Sequence, residues 1–314
     1  MTRRMAGALV LLAAVAPALG AQQRPRFRIT VDAVPVDVRV TRGGRPVTGL
    51  TSANFELRDS GVTQEVSAVA MEDVPLHLVL ALDTSDSVRV WVLDELKEAA
   101  RAAIASLRDD DRVTLLTFSD DLRLIADAAG DRDAAVQAVE LVEAQGWTSV
   151  HDAIFHALVL APSGDRRSLL IVFSDGVDTA SWLRADVLLE DARRTDAVVY
   201  VVSRMRRSEM ASKGMSGRQI GEIRAREANW FTLEPQLYRS VVLSRLAEQS
   251  GGALYTIGQD RDLRAVFTQI VAEFKSRYLL TYSPEGVPAG GWHPIDVKLK
   301  GAKGDVTARR GYQR

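Results

Sequence analysis

Cysteine is absent from this chain of 314 residues. Its absence excludes a disulfide framework, thiolate metal sites and a cysteine-linked lipid anchor. An excess of one charge is lacking too, since 40 basic and 41 acidic residues give a formal net charge of −1. So small a net charge gives no electrostatic attraction to nucleic acid or to an anionic membrane, and we expect neither as the main partner.

Enzyme motifs are also missing. No Gly-x-Ser-x-Gly elbow, phosphate loop or Gly-x-Gly-x-x-Gly turn follows a strand-like run. A phosphotransferase of the haloacid dehalogenase type needs a second Asp two residues after its nucleophile, and Ser85 stands two residues after Asp83. Metal-assisted hydrolysis remains an alternative in principle, but no general base is evident in the sequence. We therefore predict that the protein is not an enzyme.

Long hydrophobic runs are scarce. The apolar run Met5–Ala18 is shorter than a membrane span, which needs roughly 20 residues. It follows Arg3 and Arg4, and Ala18 and Gly20 put small residues at the two positions that a signal peptidase reads, which is the pattern of a secretory signal. We predict a signal at residues 1–20, cleaved after Gly20, and a secreted or periplasmic protein with no stable membrane span after its removal. A retained membrane anchor is the alternative.

Both ends of the remaining chain show period-two patterns of strands. Val34, Val36, Val38 and Val40 alternate with polar residues, and turn residues follow at Gly43-Gly44 and Asp59-Ser60-Gly61. The pattern predicts strands but no helix in residues 27–72. After residue 277 strands are predicted at Tyr278–Tyr282, Ile295–Leu299 and Val306–Arg310. Each segment alone has too few strands for a stable sheet, so we expect 27–72 and 278–314 to pair as one antiparallel β module.

Residues 73–277 instead alternate buried apolar runs with amphipathic stretches, which predicts an α/β fold with a doubly wound, mostly parallel sheet. The predicted strands are Leu76–Leu82, Val113–Phe118, Ser168–Phe173, Ala197–Val202 and Ala253–Thr256, with Leu122–Ala126 pairing beside the second of them. The predicted helices include Ala134–Ala144, Val150–Leu160, Ala185–Arg194, Val241–Gln249 and Asp260–Phe274. The segment Arg204–Glu234 fits neither pattern and is expected to be a protease-sensitive surface insertion or, alternatively, a partner-docking arm.

Polar residues follow three of the predicted strands or precede their helices. Asp83, Ser85 and Ser87 come after the first buried strand, Thr148 lies in a Gly-Trp-Thr-Ser loop, and Asp175 lies in a Ser-Asp-Gly turn. In an open α/β sheet, ligands bind outside the carboxyl ends of the strands, where these loops meet. Two carboxylates and three hydroxyls form an all-oxygen set, which suits a hard divalent cation and suits zinc poorly. We expect Mg²⁺, with Mn²⁺ or Ca²⁺ as alternatives.

This combination of motifs resembles the metal ion-dependent adhesion site of von Willebrand factor A domains. The wider chain is similar to a VWFA-related group from Acidobacteria, in which a signal and a β segment precede the A domain and a tail like Tyr278–Tyr282 follows it. The resemblance implies that Ser85 and Ser87 contact the metal directly. It implies that Asp83, Thr148 and Asp175 share direct and water-mediated contacts.

The resemblance also implies a function in adhesion or other protein–protein interaction. We expect a protein or peptide partner to supply a carboxylate to the metal. A scaffold with a purely structural metal is the first alternative, and a metal-dependent hydrolase is the second.

Other polar residues near the predicted site have simpler interpretations. Asp178 is expected to cap a helix N-terminus and Asp86 to be solvated. His77 is expected to be a satisfied core residue. His151 and His156 lie on different faces of one helix, so they do not chelate a metal. Trp147 either packs locally or lines the rim where a partner binds, and the sequence favours neither interpretation.

Overall fold

The computed structural model describes residues 33–69, 74–89, 92–161, 166–174, 178–204, 235–258 and 262–314. The predicted signal at 1–20 lies outside these residues, and so does the predicted insertion except for Arg204. Within the described ranges, no helix combines the length and the apolar character that crossing a membrane requires.

Strands and helices follow one another in three blocks. The first strands are β1 (Val34–Arg42), β2 (Arg45–Pro46), β3 (Phe55–Asp59), β4 (Val62–Gln64) and β5 (Ser67–Val69). The middle strands are β6 (Leu76–Asp83), β7 (Arg112–Phe118), β8 (Leu122–Ala129), β9 (Arg167–Ser174), β10 (Val198–Arg204) and β11 (Ala253–Ile257). The last strands are β12 (Tyr278–Tyr282), β13 (Trp292–Leu299), β14 (Asp305–Thr307) and β15 (Gly311–Gln313). The helices are α1 (Asp86–Arg89), α2 (Leu93–Ala105), α3 (Arg132–Glu140), α4 (Val150–Leu160), α5 (Ala185–Asp191), α6 (Pro235–Ser250) and α7 (Leu263–Lys275).

The middle strands form one sheet in the order β11-β10-β9-β6-β7-β8, parallel except for the antiparallel edge strand β8. Side chains of a strand alternate between its two faces, and both faces of β6 are buried. Leu78 and Leu80 belong to the core that includes residues of α2 and α7, whereas Val79 belongs to the core that includes Ile154 of α4. Burial on both faces explains the continuous apolar run of β6 and confirms the predicted fold class.

The outer strands form two antiparallel sheets that pack as a β-sandwich. One sheet has the order β14-β1-β12-β5, with β2 beside β1, and the other has the order β15-β13-β3-β4. Val34 pairs with Tyr282 across β1 and β12, and Phe55 pairs with Leu299 across β3 and β13. Both sheets contribute to a separate apolar core, which is Val36, Val38, Val40, Phe55, Leu57, Tyr278, Leu280, Tyr282 and Tyr312. Strands from the two ends of the described chain thus complete each other's sheets.

A buried polar cluster lies in this sandwich, and no local sequence pattern indicates it. The Asp59 carboxylate accepts hydrogen bonds from the hydroxyls of Tyr282 (2.8 Å) and Tyr312 (3.0 Å) and contacts His293 Nδ1 at 2.9 Å. Burial alone would raise the pKa of Asp59, but these hydrogen bonds and one from Ser60 lower it. The cluster therefore holds a charged carboxylate inside the sandwich.

The sandwich contacts the amino-terminal edge of the central sheet and helix α7 through one buried and one partly buried ion pair. Arg167, at the start of β9, donates from Nε to Asp37 Oδ1 of β1 at 2.8 Å, and its guanidinium lies 4.0 Å from the ring centroid of Phe274. Arg39 of β1 pairs with Glu273 of α7 at 3.1 Å, and Glu273 also accepts the Tyr255 hydroxyl at 3.1 Å. Charged groups thus join the two sets of strands.

Several predicted elements differ from those observed. The helix expected to reach Ala144 ends at Glu140, because the chain turns there with Leu141 exposed. The strand expected over Val306–Arg310 is two short strands, because β14 pairs with β1 whereas β15 pairs with β13. Arg204 is not in an insertion but ends β10, where it is buried and pairs with Glu95 at 2.8 Å. The segment expected to lack helix contains one 3₁₀ turn at Ser52–Asn54.

Candidate metal centre

The carboxyl end of β6 lies where the strand order of the sheet reverses. The chain continues from β6 to its neighbour β7 on one side, and later adds β9 on the other side. Asp83 pairs with Phe118 of β7, and Leu82 pairs with Phe173 of β9. In such sheets, ligands usually bind outside the strand ends at the point where the strand order reverses.

Asp83 is fully buried at this edge, with 0% of its surface exposed. Its Oδ1 accepts the backbone N–H of Ser85 at 2.9 Å, and its Oδ2 accepts the hydroxyl of Ser174 at 2.7 Å. Burying a carboxylate costs free energy unless hydrogen bonds or a positive charge compensate. The two hydrogen bonds fix the orientation of the group and join the loop after β6 to the end of β9.

The loop that carries Thr148 is hydrogen-bonded to the loop after β6. Gln145 N–H donates to the Thr84 carbonyl at 2.7 Å, and Asp86 N–H donates to the Gly146 carbonyl at 3.0 Å. Gly146 has a positive φ of 85°. Glycine adopts this conformation without strain. Thr148 itself is buried, with 5% of its surface exposed. A buried carboxylate and a buried threonine thus lie in two loops that are joined directly.

The third predicted loop is described only at its two ends. Ser174, at its start, bonds to Asp83, whereas Asp178, at its end, accepts the N–H of Val150 at 2.8 Å. Thr179 N–H donates to the Thr148 carbonyl at 2.8 Å. Both ends of this loop therefore reach the other two loops, but Asp175 itself lies outside the described residues.

Three of the five predicted ligands can be assessed. Asp83, Ser85 and Thr148 are buried at the carboxyl edge, and Asp83 and Ser85 are in direct contact. Ser87 lies in α1, but its side chain is not among the described parts of the structure. Asp175 lies wholly outside the described residues. The complete set therefore stays a prediction.

Asp178 caps a helix, as expected, but not one that follows it in the chain. The structure places it against the first turn of α4, where Ser149 is the N-cap residue and directs its own hydroxyl to the Ser119 carbonyl. Asp178 therefore accepts the backbone hydrogen bond from the first turn of α4 that the side chain of an N-cap residue usually accepts. This contact spans 28 residues, so its partner helix could not be deduced from sequence spacing.

The histidines behave as predicted. His77 is buried, and its Nε2 bonds to Thr114 Oγ1 at 2.8 Å. Burial lowers the pKa of His77, so the neutral form is favoured. His151 is buried and His156 is exposed, so the two rings lie on different faces of α4. Neither His77 nor the pair on α4 thus has the geometry of a metal chelate.

Sequence reasoning missed two residues after β7. The carbonyl of the buried Ser119 accepts the N–H of Ser149 at 2.9 Å. Asp120 lies so close to Gly146 that a Cβ atom added to Gly146 would be 1.9 Å from Asp120 Oδ1. The sequence could have indicated these two residues, because ligands bind at the carboxyl ends of strands and β7 ends at the same edge as β6 and β9.

The described part of the predicted donor set fits a hard divalent cation. Asp83, Ser85 and Thr148 offer only oxygen atoms, which Mg²⁺, Mn²⁺ and Ca²⁺ prefer. Among the described residues, no three His, Asp or Glu side chains stand together as a metal-binding group. A cation at this edge would therefore need hydroxyl oxygens together with Asp83.

Two exposed tryptophans lie beside this edge. Trp147, in the Thr148 loop, is 69% exposed, and Trp182 is 96% exposed. The backbone around Trp182 is held by Asp152, whose carboxylate accepts the N–H groups of Trp182 (2.9 Å) and Leu183 (2.8 Å). Tryptophan is enriched in protein interfaces and among the residues that dominate their binding energy.

A family model described as von Willebrand factor type A domain matches residues 78–177. Among curated proteins, the chain is 30% identical over 107 residues to an uncharacterized protein of Synechocystis sp., covering 33% of this chain and 26% of that protein. It is 28% identical over 124 residues to the inter-alpha-trypsin inhibitor heavy chain H4 of Sus scrofa, covering 38% of this chain and 14% of that protein. Each match therefore spans only a minor part of the relative's own length.

Similar solved structures share little sequence with the chain. A von Willebrand factor type A protein from Catenulispora acidiphila has a TM-score of 0.49 at 15% identity, covering 87% of this chain and 74% of its own. The proximal thread matrix protein 1 of the mussel byssus, described with a zinc-occupied MIDAS motif, has a TM-score of 0.49 at 13% identity, covering 68% and 49%. The vWF domain of the pilus tip protein Mfa5 from Porphyromonas gingivalis has a TM-score of 0.46 at 10% identity, covering 63% and 94%.

Proposed function

We propose that this chain, which carries a von Willebrand factor type A domain, binds a divalent cation at the carboxyl edge of the central sheet. It would use this cation to hold a protein partner. The proposal includes export by the signal at residues 1–20, cleaved after Gly20. The domain family commonly mediates protein–protein interaction, which supports the proposed binding role. The cation, the export and the partner are our inferences from this chain's residues.

The observation that carries the proposal is the state of Asp83. It is fully buried, and both of its oxygens are oriented by hydrogen bonds from two different loops. Such a carboxylate has little value for solubility and is expensive to bury. A cation beside it would offset that cost, and the hydrogen bonds of its oxygens keep it oriented for that contact.

Each proposed ligand has a distinct role. Asp83 and Asp175 supply negative charge, and Ser85, Ser87 and Thr148 supply neutral oxygens. When bound, the cation provides Lewis acidity for one further oxygen ligand, which a carboxylate of the partner would supply. We favour Mg²⁺, with Mn²⁺ and Ca²⁺ as alternatives, because every proposed ligand atom is an oxygen.

A protein partner suits the rim better than a small molecule does. Trp147 and Trp182 present large aromatic surface on loops whose backbone is fixed by hydrogen bonds. Aromatic side chains on a fixed backbone lose little conformational entropy on binding and often supply much of the binding energy of an interface. The partner would therefore place an acidic side chain at the cation and apolar side chains against the two rings.

The cation is tested by calorimetry on the purified full chain with Mg²⁺, Mn²⁺, Ca²⁺ and Zn²⁺. Asp83→Asn keeps the size of the side chain but removes its charge, and we expect affinity to fall about 100-fold or more. Asp86→Asn is the matched control, since Asp86 is exposed, and it should change affinity less than about threefold. Equal affinities for wild type and Asp83→Asn, with unchanged thermal unfolding, would contradict the proposal.

The partner is tested by capture from envelope extract with Mg²⁺ and then with chelator. Binding that is lost in chelator and in Asp83→Asn supports the proposed role. Metal binding together with partner binding that survives both changes would instead support the alternative of a structural metal. Amino-terminal sequencing of the protein from its own cells tests export, with Ala21 expected as the first residue.

A further inference from the structure

At the end of β6, Asp83 lies between two neighbouring strands whose side chains differ in character. Asp83 pairs with Phe118 of β7, and the pairing of Leu82 with Phe173 brings Ser174 of β9 to its other side. Phe118 offers no polar side-chain atom. Of these two neighbours, Ser174 is therefore the one that can donate a hydrogen bond to the carboxylate.

Ser174 makes this contact from a buried position. Its hydroxyl donates to Asp83 Oδ2 at 2.7 Å, and 1% of the surface of Ser174 is exposed. The other oxygen, Oδ1, accepts the backbone N–H of Ser85 at 2.9 Å. A hydrogen bond to an ionised acceptor is about twice as strong as one between neutral groups. Each oxygen of Asp83 is therefore held by a protein donor, one from its own loop and one from the neighbouring strand.

Divalent cations differ in how they use a carboxylate. Ca²⁺ takes roughly 6–8 oxygen ligands in flexible geometry and often contacts both oxygens of one carboxylate. Mg²⁺ is smaller, requires nearly octahedral geometry and usually keeps several of its waters. A carboxylate whose two oxygens both accept hydrogen bonds from the protein therefore suits contact through one oxygen, or through a water, better than contact through both.

We propose that Ser174 is a positioning residue that shifts the selectivity of this edge from Ca²⁺ towards Mg²⁺. The inference rests on the cation site proposed above and names a residue that sets its selectivity. The Ser174 hydroxyl holds Oδ2, so Ca²⁺ gains the second oxygen of Asp83 only by weakening that hydrogen bond. Mg²⁺ needs no such exchange. Ser174 thus acts on the cation through Asp83.

The next strand supplies a matched control. Ser203 of β10 pairs in register with Ser174 and is also buried, with 4% of its surface exposed. Because β9 lies between β10 and β6 in the sheet, Ser203 is two strands away from Asp83. Ser203→Ala therefore removes a buried hydroxyl at the same edge of the sheet but leaves the contact between Ser174 and Asp83 in place.

The test is calorimetry on the purified full chain, with Mg²⁺ and Ca²⁺ in separate titrations. In Ser174→Ala, Oδ2 loses its donor, and we expect the ratio of the Ca²⁺ to the Mg²⁺ dissociation constant to fall about fivefold or more. Ser174→Thr keeps the hydroxyl and should keep the wild-type ratio, as should Ser203→Ala. Thermal unfolding of each variant in chelator measures stability separately, and a ratio from one preparation is not changed by a partial loss of folded protein.

The outcomes separate this inference from the function on which it rests. If the wild type binds neither cation, the proposed cation site fails, and the role of Ser174 fails with it. If the wild type binds Mg²⁺ but Ser174→Ala leaves the ratio unchanged, the role of Ser174 is overturned and the cation site stands. An equal fall of the ratio in Ser174→Thr or Ser203→Ala, or the loss of both cations from folded Ser174→Ala, would likewise overturn the role of Ser174 alone.

Discussion

The carboxyl-terminal edge of the central sheet and its amino-terminal edge both bury charged groups, but the groups come from different parts of the chain. At the carboxyl edge, Asp83 and its partner Ser85 are two residues apart, in one loop. At the amino edge, Arg167 and Asp37 are 130 residues apart and belong to different sets of strands. A local motif therefore reveals the first edge, whereas only the folded chain reveals the second.

The two edges also differ in what their charges do. Arg167 at the amino edge is almost completely covered and contacts a carboxylate. Burial lowers the pKa of Arg167, although Asp37 counteracts that effect. Each charge there has its partner within the protein. At the carboxyl edge, we propose that Asp83 and the neighbouring hydroxyls hold a cation. The amino edge thus joins two parts of one molecule, whereas the role proposed for the carboxyl edge is to bind an external ligand.

Breaking the Arg167–Asp37 pair should have the largest effect. Arg167→Met leaves Asp37 buried and unpaired, and we expect the free energy of unfolding to fall by about 3–5 kcal/mol. The double variant Asp37→Leu with Arg167→Met should recover most of that loss. Urea unfolding measures both. Cation affinity should not change, because Arg167 and Ser174 are at opposite ends of β9. A parallel loss of cation affinity would contradict the independence of the two edges.

A pair of glycine substitutions should separate stability from binding. In Gly252→Ala the new Cβ would lie 1.9 Å from the backbone oxygen of Val199, which cannot move aside. We expect that variant to lose about 3 kcal/mol. In Gly146→Ala the obstacle is the side chain of the exposed Asp120, and the positive φ adds strain. We expect a smaller loss there, of about 1–2 kcal/mol.

Gly146→Ala should nevertheless weaken cation binding more than Gly252→Ala does, since it displaces the loop that carries Thr148. Calorimetry with Mg²⁺ and urea unfolding on both variants decide this. The reverse pattern, with the greater loss of cation affinity in Gly252→Ala, would count against the proposed site.

The smallest expected effect is an acid sensitivity of the amino edge. Burial alone would raise the pKa of Glu273, but the Tyr200 hydroxyl and the charges of Arg39 and Arg277 lower it below 4.5. The stability that this carboxylate contributes is therefore present above its ordinary pKa and is lost as the pH falls through the lowered pKa. Urea midpoints should fall less steeply in Glu273→Gln than in wild type as the pH is lowered from 7 to about 2, a range that includes both the ordinary and the lowered pKa. Identical slopes would show that Glu273 does not contribute in this way.

Local patterns predicted the regular elements well. The bounds of α4 and β12 are those expected, because a single helical stripe and a short apolar run with a turn at each end define them. The double-sided burial of β6 was also expected. The split between β14 and β15 could not be predicted, since it depends on which distant strands pair with each. The domain boundaries at 72/73 and 277/278 stay a prediction.

The candidate sites show the same division. Asp83, Ser85 and Thr148 could be proposed as ligands from the sequence because each lies where a strand ends or a helix begins. The cluster of Asp59 with His293 was missed, since the two residues are 234 positions apart and each looks ordinary in its own segment. A site whose residues each belong to a recognisable local motif is visible in a sequence, and a site whose residues carry no such motif is not.

The position of β1 beside β12 also has a consequence for synthesis on the ribosome. Arg39 of β1 must wait for Glu273, 234 residues later, before its ion pair can form. At about 5–20 residues per second, that wait is roughly 10–50 s. During this time β1 lacks its later partners β12 and β14, and β3 lacks β13, so each leaves an open edge, which is a state prone to aggregation. A chaperone that holds nascent chains would therefore help this protein most while its central domain is being translated.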